Sequence, residues 1–445
     1  MDKINVRKIA VKALTAITHK NEYMNEVLTK ESIKIDRENQ GYLYRVVNGV
    51  VENLLYIDTL LAFQSKIKIR KLRESDKNIL RLSLYEMIYM DKIPSYATVD
   101  EAIKLMKKSN YQLVKYTNGL LRNFADNLEK IIDDYDKKEK DEITKLSVVY
   151  SHPKWMVERW IVDFGLEETK QLLKSNNAMP YLSIRTNTLK ITRDDLLKKL
   201  IYLGVEAKPS EYLSEAIVIE SLNQVDLFNT KLFKKGNFIV QDLSSILVGY
   251  VISPEKGEKI LDMCAAPGGK STHIAQLMHD SGEVVSRDVS YEKLYKIKEN
   301  TDRLGLKSIK LELKDASVLD NGSINAYDRV LLDAPCSGLG IIRRKPDIKW
   351  HRQMDDIDKL HKIQLTMINN AAKYVKIGGV LVYSTCTIDK KENDEVIKSF
   401  LDGHSEFVVD TLENIPAEFI DGSYLRILPN RHNMDGFFAC RLKKL

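Results

Sequence analysis

Two cysteines late in the chain stand in short motifs that could carry a reaction. Cys336 lies in LLDAPCSG (Leu331–Gly338) and Cys386 in VYSTCT (Val382–Thr387). Each motif begins as an apolar strand and ends in a tight loop, and both come after a glycine-rich loop, CAAPGGK (Cys264–Lys270). Open α/β sheets present their chemistry at the carboxyl ends of the strands. Two thiols placed there, beside a nucleotide-type cofactor loop, point to covalent catalysis on an electrophilic ring.

The loop itself departs from GxGxxG, and one glycine pair after a strand is a weak signal. Its force comes from two acids placed in order behind it. Asp288 ends the next strand, where a carboxylate can accept both ribose hydroxyls. Asp315 ends the strand after that, where it can accept from an adenine amino group. Within the loop, Cys264, Ala265, Ala266, Pro267, Gly268, Gly269 and Lys270 bring small residues and backbone close to a ligand, and a helix starts after Gly269. A helix N-terminus favours a carboxylate. No second glycine unit serves a second nucleotide, so the pattern fits S-adenosylmethionine better than a dinucleotide.

Asp333-Ala334-Pro335-Cys336 stands where enzymes that methylate exocyclic amines carry D/N-P-P-Y/F. That signature supplies a carbonyl cradle and an aromatic stack; this one supplies a carboxyl and a thiol. Cytosine C5 needs both. It is too electron-poor to attack a methylsulfonium until a thiolate adds at C6, and a donor at N3 then stabilises the charge that forms. A free thiol with a pKa of about 8.5 is little ionised at pH 7, so a cation is required nearby. Arg343, Arg344 and Lys345 are candidates. Spacing does not choose between the two thiols, because DNA cytosine methyltransferases use the PC cysteine as nucleophile. Cys440, in the strand-like FFACRL, is expected in a core, and Cys264 has no covalent role.

The elements that must position these residues divide into three parts. From Met1 to about Tyr135 the apolar periodicity is helical: Val6, Ala10, Ala13, Leu14 and Ile17; Leu54, Ile57, Leu60 and Leu61; Ile79, Leu80, Leu82, Leu84, Met87 and Ile88, closed by Pro94. Ser75-Asp76 is read as the N-cap of that last helix, and Asp133–Glu142 as a polar linker. Residues 141–235 mix helices (Trp155–Phe164, Arg193–Leu203) with strands (Leu182–Thr186, Ala216–Ile219), a small α+β domain of RRM or ferredoxin-like type. Residues 236–445 alternate strands and helices, the mark of a doubly wound, Rossmann-like sheet. The expected domains are therefore 1–140, 141–235 and 236–445.

Of 445 residues, 44% are hydrophobic and 30% charged, a balance for several folded domains. Four cysteines with no CxxC spacing, and histidines without ligand spacing, predict neither disulfides nor a metal. No apolar run spans a bilayer and no signal-peptide pattern opens the chain, so a cytoplasmic protein without membrane contact is expected. The net charge of +6 sits in residues 1–140, which hold 26 Lys and Arg against 20 Asp and Glu; the remainder is balanced. A basic helical module on a neutral α/β body suggests a docked polyanion.

Taken together, CAAPGGK, DAPCSG, STCT and GFFACRL (Gly436–Leu442) resemble the NOL1/NOP2/Sun family of RNA cytosine-5 methyltransferases. GIIRRKPDIKW (Gly340–Trp350) is similar to its bacterial ribosomal branch. RVVNGVVENLLYID (Arg45–Asp58), SYATVDEAIKLMK (Ser95–Lys107) and YTNGLLRNF (Tyr116–Phe124) resemble the NusB-like RNA-binding bundle. The resemblance implies a class I methyltransferase domain behind that bundle, with S-adenosyl-L-methionine as cofactor. It implies 5-methylcytosine formation in 16S rRNA, expected at position 967, by a monomer acting on naked rRNA or an early small-subunit intermediate. It also implies that Cys386 is the catalytic nucleophile, that Cys336 helps release product, and that Asp333 both contacts cytosine N3 and borders the cofactor. The alternatives are a tRNA cytosine-5 methyltransferase and a non-catalytic RNA-binding factor. If Lys66, Lys68, Arg70, Lys71 and Arg73 grip phosphates, RNA affinity falls with salt at a log–log slope of about 0.7 to 0.9 per contact. A flat response in filter binding would make this charge incidental.

Overall fold

The computed structural model describes Asn5–Leu445 apart from the Glu38 side chain, so Met1–Ile4 of the bundle's first stretch lie outside the described residues. Two compact units form. One runs up to Ala178 and takes in Ile342–Met354; the other comprises Met179–Ile341 and Asp355–Leu445.

The first unit is helical. Its bundle contains Val6–Lys20, Met24–Ser32, Arg37–Glu52, Leu54–Gln64, Glu74–Tyr89, Ser95–Ser109 and Val114–Lys138. The periodic residues are the buried ones: Val6, Ala10, Ala13, Leu14 and Ile17 share one core with Ile57, Leu60, Leu61, Ile79, Leu80, Leu82 and Leu84. Asn5 and Asp36 cap their helices by accepting from Lys8 N and Asn39 N. Glu74–Tyr89 is buried nearly all round, so its buried Arg81 is paired: the guanidinium donates to both Asp58 oxygens at 2.7 Å and to Glu74 at 2.6 Å.

Two expectations are overturned in this bundle. The helix starts at Glu74, so Ser75-Asp76 is no cap; Asp76 instead accepts from Arg73 Nε at 3.0 Å and Ser109 Oγ at 2.6 Å, tying the first turn to the next helix. The supposed linker is mostly helix, because Ile131 and Tyr135 extend the apolar face of Val114–Lys138 through the charged stretch. The basic run does project: Lys66, Lys68, Arg70, Lys71 and Arg73 are exposed around the buried anchor Ile69. Three further helices, Glu142–Val149, Lys154–Phe164 and Leu166–Asn176, belong to this unit. So does the RRKPDIKW segment, held by Trp350 Nε1 donating to Val51 O at 2.7 Å and Lys349 Nζ to Glu52 O at 2.8 Å.

The second unit opens with a four-stranded antiparallel sheet: β1 (Leu182–Thr186), β2 (Glu206–Pro209), β3 (Ala216–Ser221) and β4 (Phe238–Val240), in the order β2-β3-β1-β4. Leu196 and Leu200 of helix Arg193–Tyr202 share a core with its Ile184, Ile217 and Phe238. The larger sheet contains β5 (Lys259–Asp262), β6 (Glu283–Asp288), β7 (Ile309–Leu313), β8 (Tyr327–Asp333), β9 (Val375–Thr385), β10 (Phe407–Val409), β11 (Ile420–Asp421), β12 (Tyr424–Ile427) and β13 (Phe437–Lys444). Its order is β11-β12-β13-β9-β8-β5-β6-β7, with β10 on β13. β9, β8, β5, β6 and β7 run parallel; β13 joins β9 antiparallel, so the sheet is mixed.

Val330, Leu331, Leu332, Leu381, Val382 and Tyr383 are all buried, as expected of parallel strands covered on both faces. The chain moves outward from β5 to β6 and β7, then returns with β8 on the other side of β5. The crevice at such a reversal is where open α/β sheets bind ligands. Among the described residues, no single helix is long and apolar enough to cross a membrane.

Candidate active site

The reversal of strand order brings the ends of β5 and β8 together. The glycine loop leaves β5 after Asp262, and helix Gly269–Leu277 comes directly after it. Gly268 has φ +96°, and a Cβ there would stand 3.1 Å from Ile297 Cγ2, so the turn requires glycine. From the first turn of the helix, Lys270 Nζ reaches across to Asp333 Oδ2 at the end of β8, 2.7 Å away. Asp333 Oδ1 accepts from Ser384 Oγ of β9 at 2.8 Å, its partner in strand register. Burial opposes the Lys270 charge, but Asp333, with Asp262 and Cys386 behind it, outweighs that and holds its pKa above the usual lysine value. Asp262 is fully buried and accepts from Ser271 Oγ at 2.6 Å; burial pushes its pKa up to about 7.

The two motif thiols meet just beyond the strand ends. Ala334 N donates to Ser384 O at 2.8 Å, and past that bond both chains leave the sheet. Cys336 Sγ and Cys386 Sγ then lie 3.3 Å apart, in hydrogen-bond contact. That shared bond, together with burial, raises the Cys336 pKa well above the ordinary thiol value, so Cys336 keeps its proton and can donate it toward Cys386. The loop's far side is anchored by Glu392, whose carboxylate accepts from Ser337 N at 2.8 Å, from Ser337 Oγ, and from Gln364 Nε2 at 2.9 Å. Gly340 closes the approach: Gly340 N donates to Cys386 O at 3.0 Å, and a Cβ there would sit 2.2 Å from Gly436 O.

The other thiols stay out of this pair. Burial raises both Cys264 and Cys440, and Cys440 packs in the sheet core opposite Tyr383. Asp288, buried at the end of β6, accepts from Ala266 N at 3.1 Å and Val289 N at 2.8 Å, and Lys293 Nζ stands 3.1 Å away. Asp315 lies exposed beyond β7 and accepts from Ser317 N and Oγ. The cation hydrogen-bonded to Asp333 is Lys270; Arg343, Arg344 and Lys345 fold with the helical unit. Among the described residues no cluster could hold a metal ion.

These residues suit S-adenosylmethionine. The first-turn N–H groups after Gly268 lack helical partners and suit its carboxylate, Gly268 leaves room for close backbone approach, and Asp288 presents a carboxylate at the end of β6, where the ribose hydroxyls of such a cofactor would meet it. Residues 249–443 match the model of 16S rRNA methyltransferase RsmB/F, residues 4–126 the NusB family, and residues 152–226 the ferredoxin-like domain of RsmF/B-like methyltransferases. The chain is 37% identical to the probable ribosomal RNA small subunit methyltransferase B of Bacillus subtilis, over the full length of both. The chain belongs to the ribosomal RNA small subunit methyltransferase B family.

To the Synechocystis member of that family the identity is 32%, over 99% of this chain and all of that one. The crystal structure of PH0851 superposes with a TM-score of 0.79 at 28% identity, covering 99% of both chains. NSun6 from Pyrococcus horikoshii, solved with SFG, gives 0.59 at 28% identity over 66% of this chain and 98% of that one. As a member, the chain is an S-adenosylmethionine-dependent rRNA methyltransferase, with a NusB helical domain, a ferredoxin-like middle domain and a Rossmann-like methyltransferase domain.

Ser384, Asp262, Glu392 and Gly340 were not singled out from sequence. Ser384 and Asp262 each adjoin a motif and were within reach; Glu392 and Gly340 show their roles only once the loops are folded. Asp262 has a folded pKa above the unfolded value of about 3.9, so its contribution to stability is full below about pH 4 and is lost as pH rises toward 7. Asp262→Asn therefore gains stability over the parent between pH 5 and pH 8, read as a widening difference in urea midpoint; a constant difference contradicts the assignment. Gly340→Ala forces the two loops apart and lowers kcat by about 10- to 100-fold while cofactor affinity holds, measured by single-turnover methyl transfer and calorimetry.

Proposed function

We propose that this enzyme methylates C5 of a cytosine in 16S rRNA, expected at position 967, through a transient bond between Cys386 and C6. The observation that carries the reading is the pair of thiols 3.3 Å apart beside the Lys270–Asp333 ion pair. Amine methylation has no use for either sulfur, whereas C5 chemistry has work for both. The family relatives named for small-subunit rRNA support the substrate class, and we place the reaction in the cytoplasm, performed by a monomer.

In this reading the helical bundle and middle domain hold the RNA while the target base leaves its stack, at a cost on the order of a few kcal/mol. Cys386 passes its proton to the Asp333 carboxylate, with Cys336 as hydrogen-bond donor to the sulfur and the Lys270 ammonium nearby. The thiolate forms a bond to C6, and the C5–C6 π pair moves into the ring. Asp333, steadied by Lys270 and Ser384, donates that proton to N3 as charge develops there and takes it back when the ring is restored. C5 then takes up the electrophilic methyl group that S-adenosylmethionine supplies when bound at the glycine loop. A base removes the C5 proton, that electron pair re-forms the C5–C6 double bond, and sulfur leaves C6 with its bonding pair. Cys336 already carries a proton within reach of that departing sulfur, which gives it the releasing role.

Cys386→Ala abolishes methyl transfer to 16S rRNA and leaves S-adenosylhomocysteine binding intact, measured by tritium transfer and calorimetry; full activity rejects the assignment. Cys336→Ala accumulates an RNA–protein adduct through Cys386, visible as a slow band on a denaturing gel. Failure to form it with RNA demonstrably bound contradicts the division of labour. Bisulfite sequencing of total RNA, with and without the gene, reads reaction and position together; a mark in tRNA alone would reassign the substrate.

A further inference from the structure

Arg185, a cation of the middle sheet, is buried beneath the cofactor loop. It sits in β1, 1% exposed, and its side chain crosses to helix Gly269–Leu277. Nη1 donates to Gly269 O at 2.8 Å and to Gln241 Oε1; Nη2 donates to Thr272 Oγ1 at 2.9 Å. Thr272 Oγ1 in turn donates to Gly268 O at 2.7 Å. The two glycine carbonyls of the loop are thus held, directly and through one hydroxyl, from outside the methyltransferase sheet.

Arg185 is costly where it stands. Among the described residues no carboxylate is hydrogen-bonded to it: Glu215, the acid whose field reaches it, is taken by Tyr250 Oη at 2.6 Å and His273 Nε2 at 3.1 Å. Arg185 Nε has no partner among the described residues. Burial pulls its pKa down to about 9. It also places positive charge at a helix N-terminus, the wrong end for a cation. A buried charge held this way is destabilising until an anion comes near, and the first turn of this helix is where a ligand carboxylate is favoured.

We infer that Arg185 is a positioning residue for the cofactor: it sets the glycine loop through Gly269 O and Thr272 and favours the ligand's carboxylate, so the middle domain controls S-adenosylmethionine affinity. The inference rests on reading Cys264–Lys270 as the cofactor loop.

Calorimetry on the full chain with S-adenosylhomocysteine tests it. Arg185→Met removes charge and donors at similar length and weakens binding by about tenfold or more. The KM for S-adenosylmethionine rises in parallel, kcat stays within about twofold, and Arg185→Lys recovers part of the loss. A folded Arg185→Met with affinity within twofold of the parent overturns the inference, as does a fall in kcat at unchanged affinity. Should Arg185→Met not fold, Thr272→Val decides: a severalfold weaker affinity supports the inference, and an unchanged one overturns it. Asp288→Ala separates the two layers. If it too leaves affinity unchanged, the loop reading fails; if it alone abolishes binding, only the role of Arg185 does.

Discussion

The parallel pairing of β8 with β9 is the constraint on which the rest depends. Register sets Asp333 opposite Ser384, and the next inter-strand bond, Ala334 N to Ser384 O, is the last before both chains turn away. Because the two strands end together, the loops after them must start together. Cys336 and Cys386, fifty residues apart in sequence, are neighbours for that reason. A slip of one residue would turn Asp333 from the crevice into the core. The buried runs of Val330–Leu332 and Leu381–Tyr383 make such a slip costly, so the apolar core of the sheet specifies the geometry of its polar end.

Electrostatics completes what register begins. The crevice gathers Asp262 and Asp333 around Lys270, while Asp288 pairs with Lys293. Asp262 escapes part of the repulsion by holding a proton up to about pH 7, and Asp333 is neutralised by the ammonium. The same ammonium lies in the field of Cys386. One lysine therefore serves both the Asp333 carboxylate and the Cys386 sulfur, which in the proposed mechanism couples the cofactor loop to the chemistry. Arg185 extends that coupling back into the middle sheet.

Much of this was legible in the sequence, and for physical reasons. Parallel strands buried on both faces read as apolar runs, so the ends of β6 and β8 fell at Asp288 and at Asp333. The bundle's stripes fell on its core because helical periodicity survives in exposed helices. What failed was short or locally ambiguous. β2 is an edge strand of Glu, Ala, Lys and Pro with no alternation, and β4 has three residues. The charged end of Val114–Lys138 hid two apolar anchors, and the RRKPDIKW segment folds with helices far from it in sequence. In the site, residue types were visible but partnerships were not. Lys270 and Asp333 are 63 residues apart, and only the reversal of strand order makes them a pair. The choice between two thiols had no basis in spacing; the proton that Cys336 keeps is a property of the folded loop.

The central claim is that sulfur 386 bonds to the pyrimidine ring, and its most direct test traps that bond. An RNA carrying 5-fluorocytidine at the target position has no C5 proton to lose, so the adduct persists once methyl transfer is complete. Incubated with enzyme and S-adenosylmethionine, then digested and sequenced by mass spectrometry, it should leave the modified nucleotide on the peptide that contains Cys386. Attachment at Cys336, or a methylated product released with no adduct at all, would contradict the account.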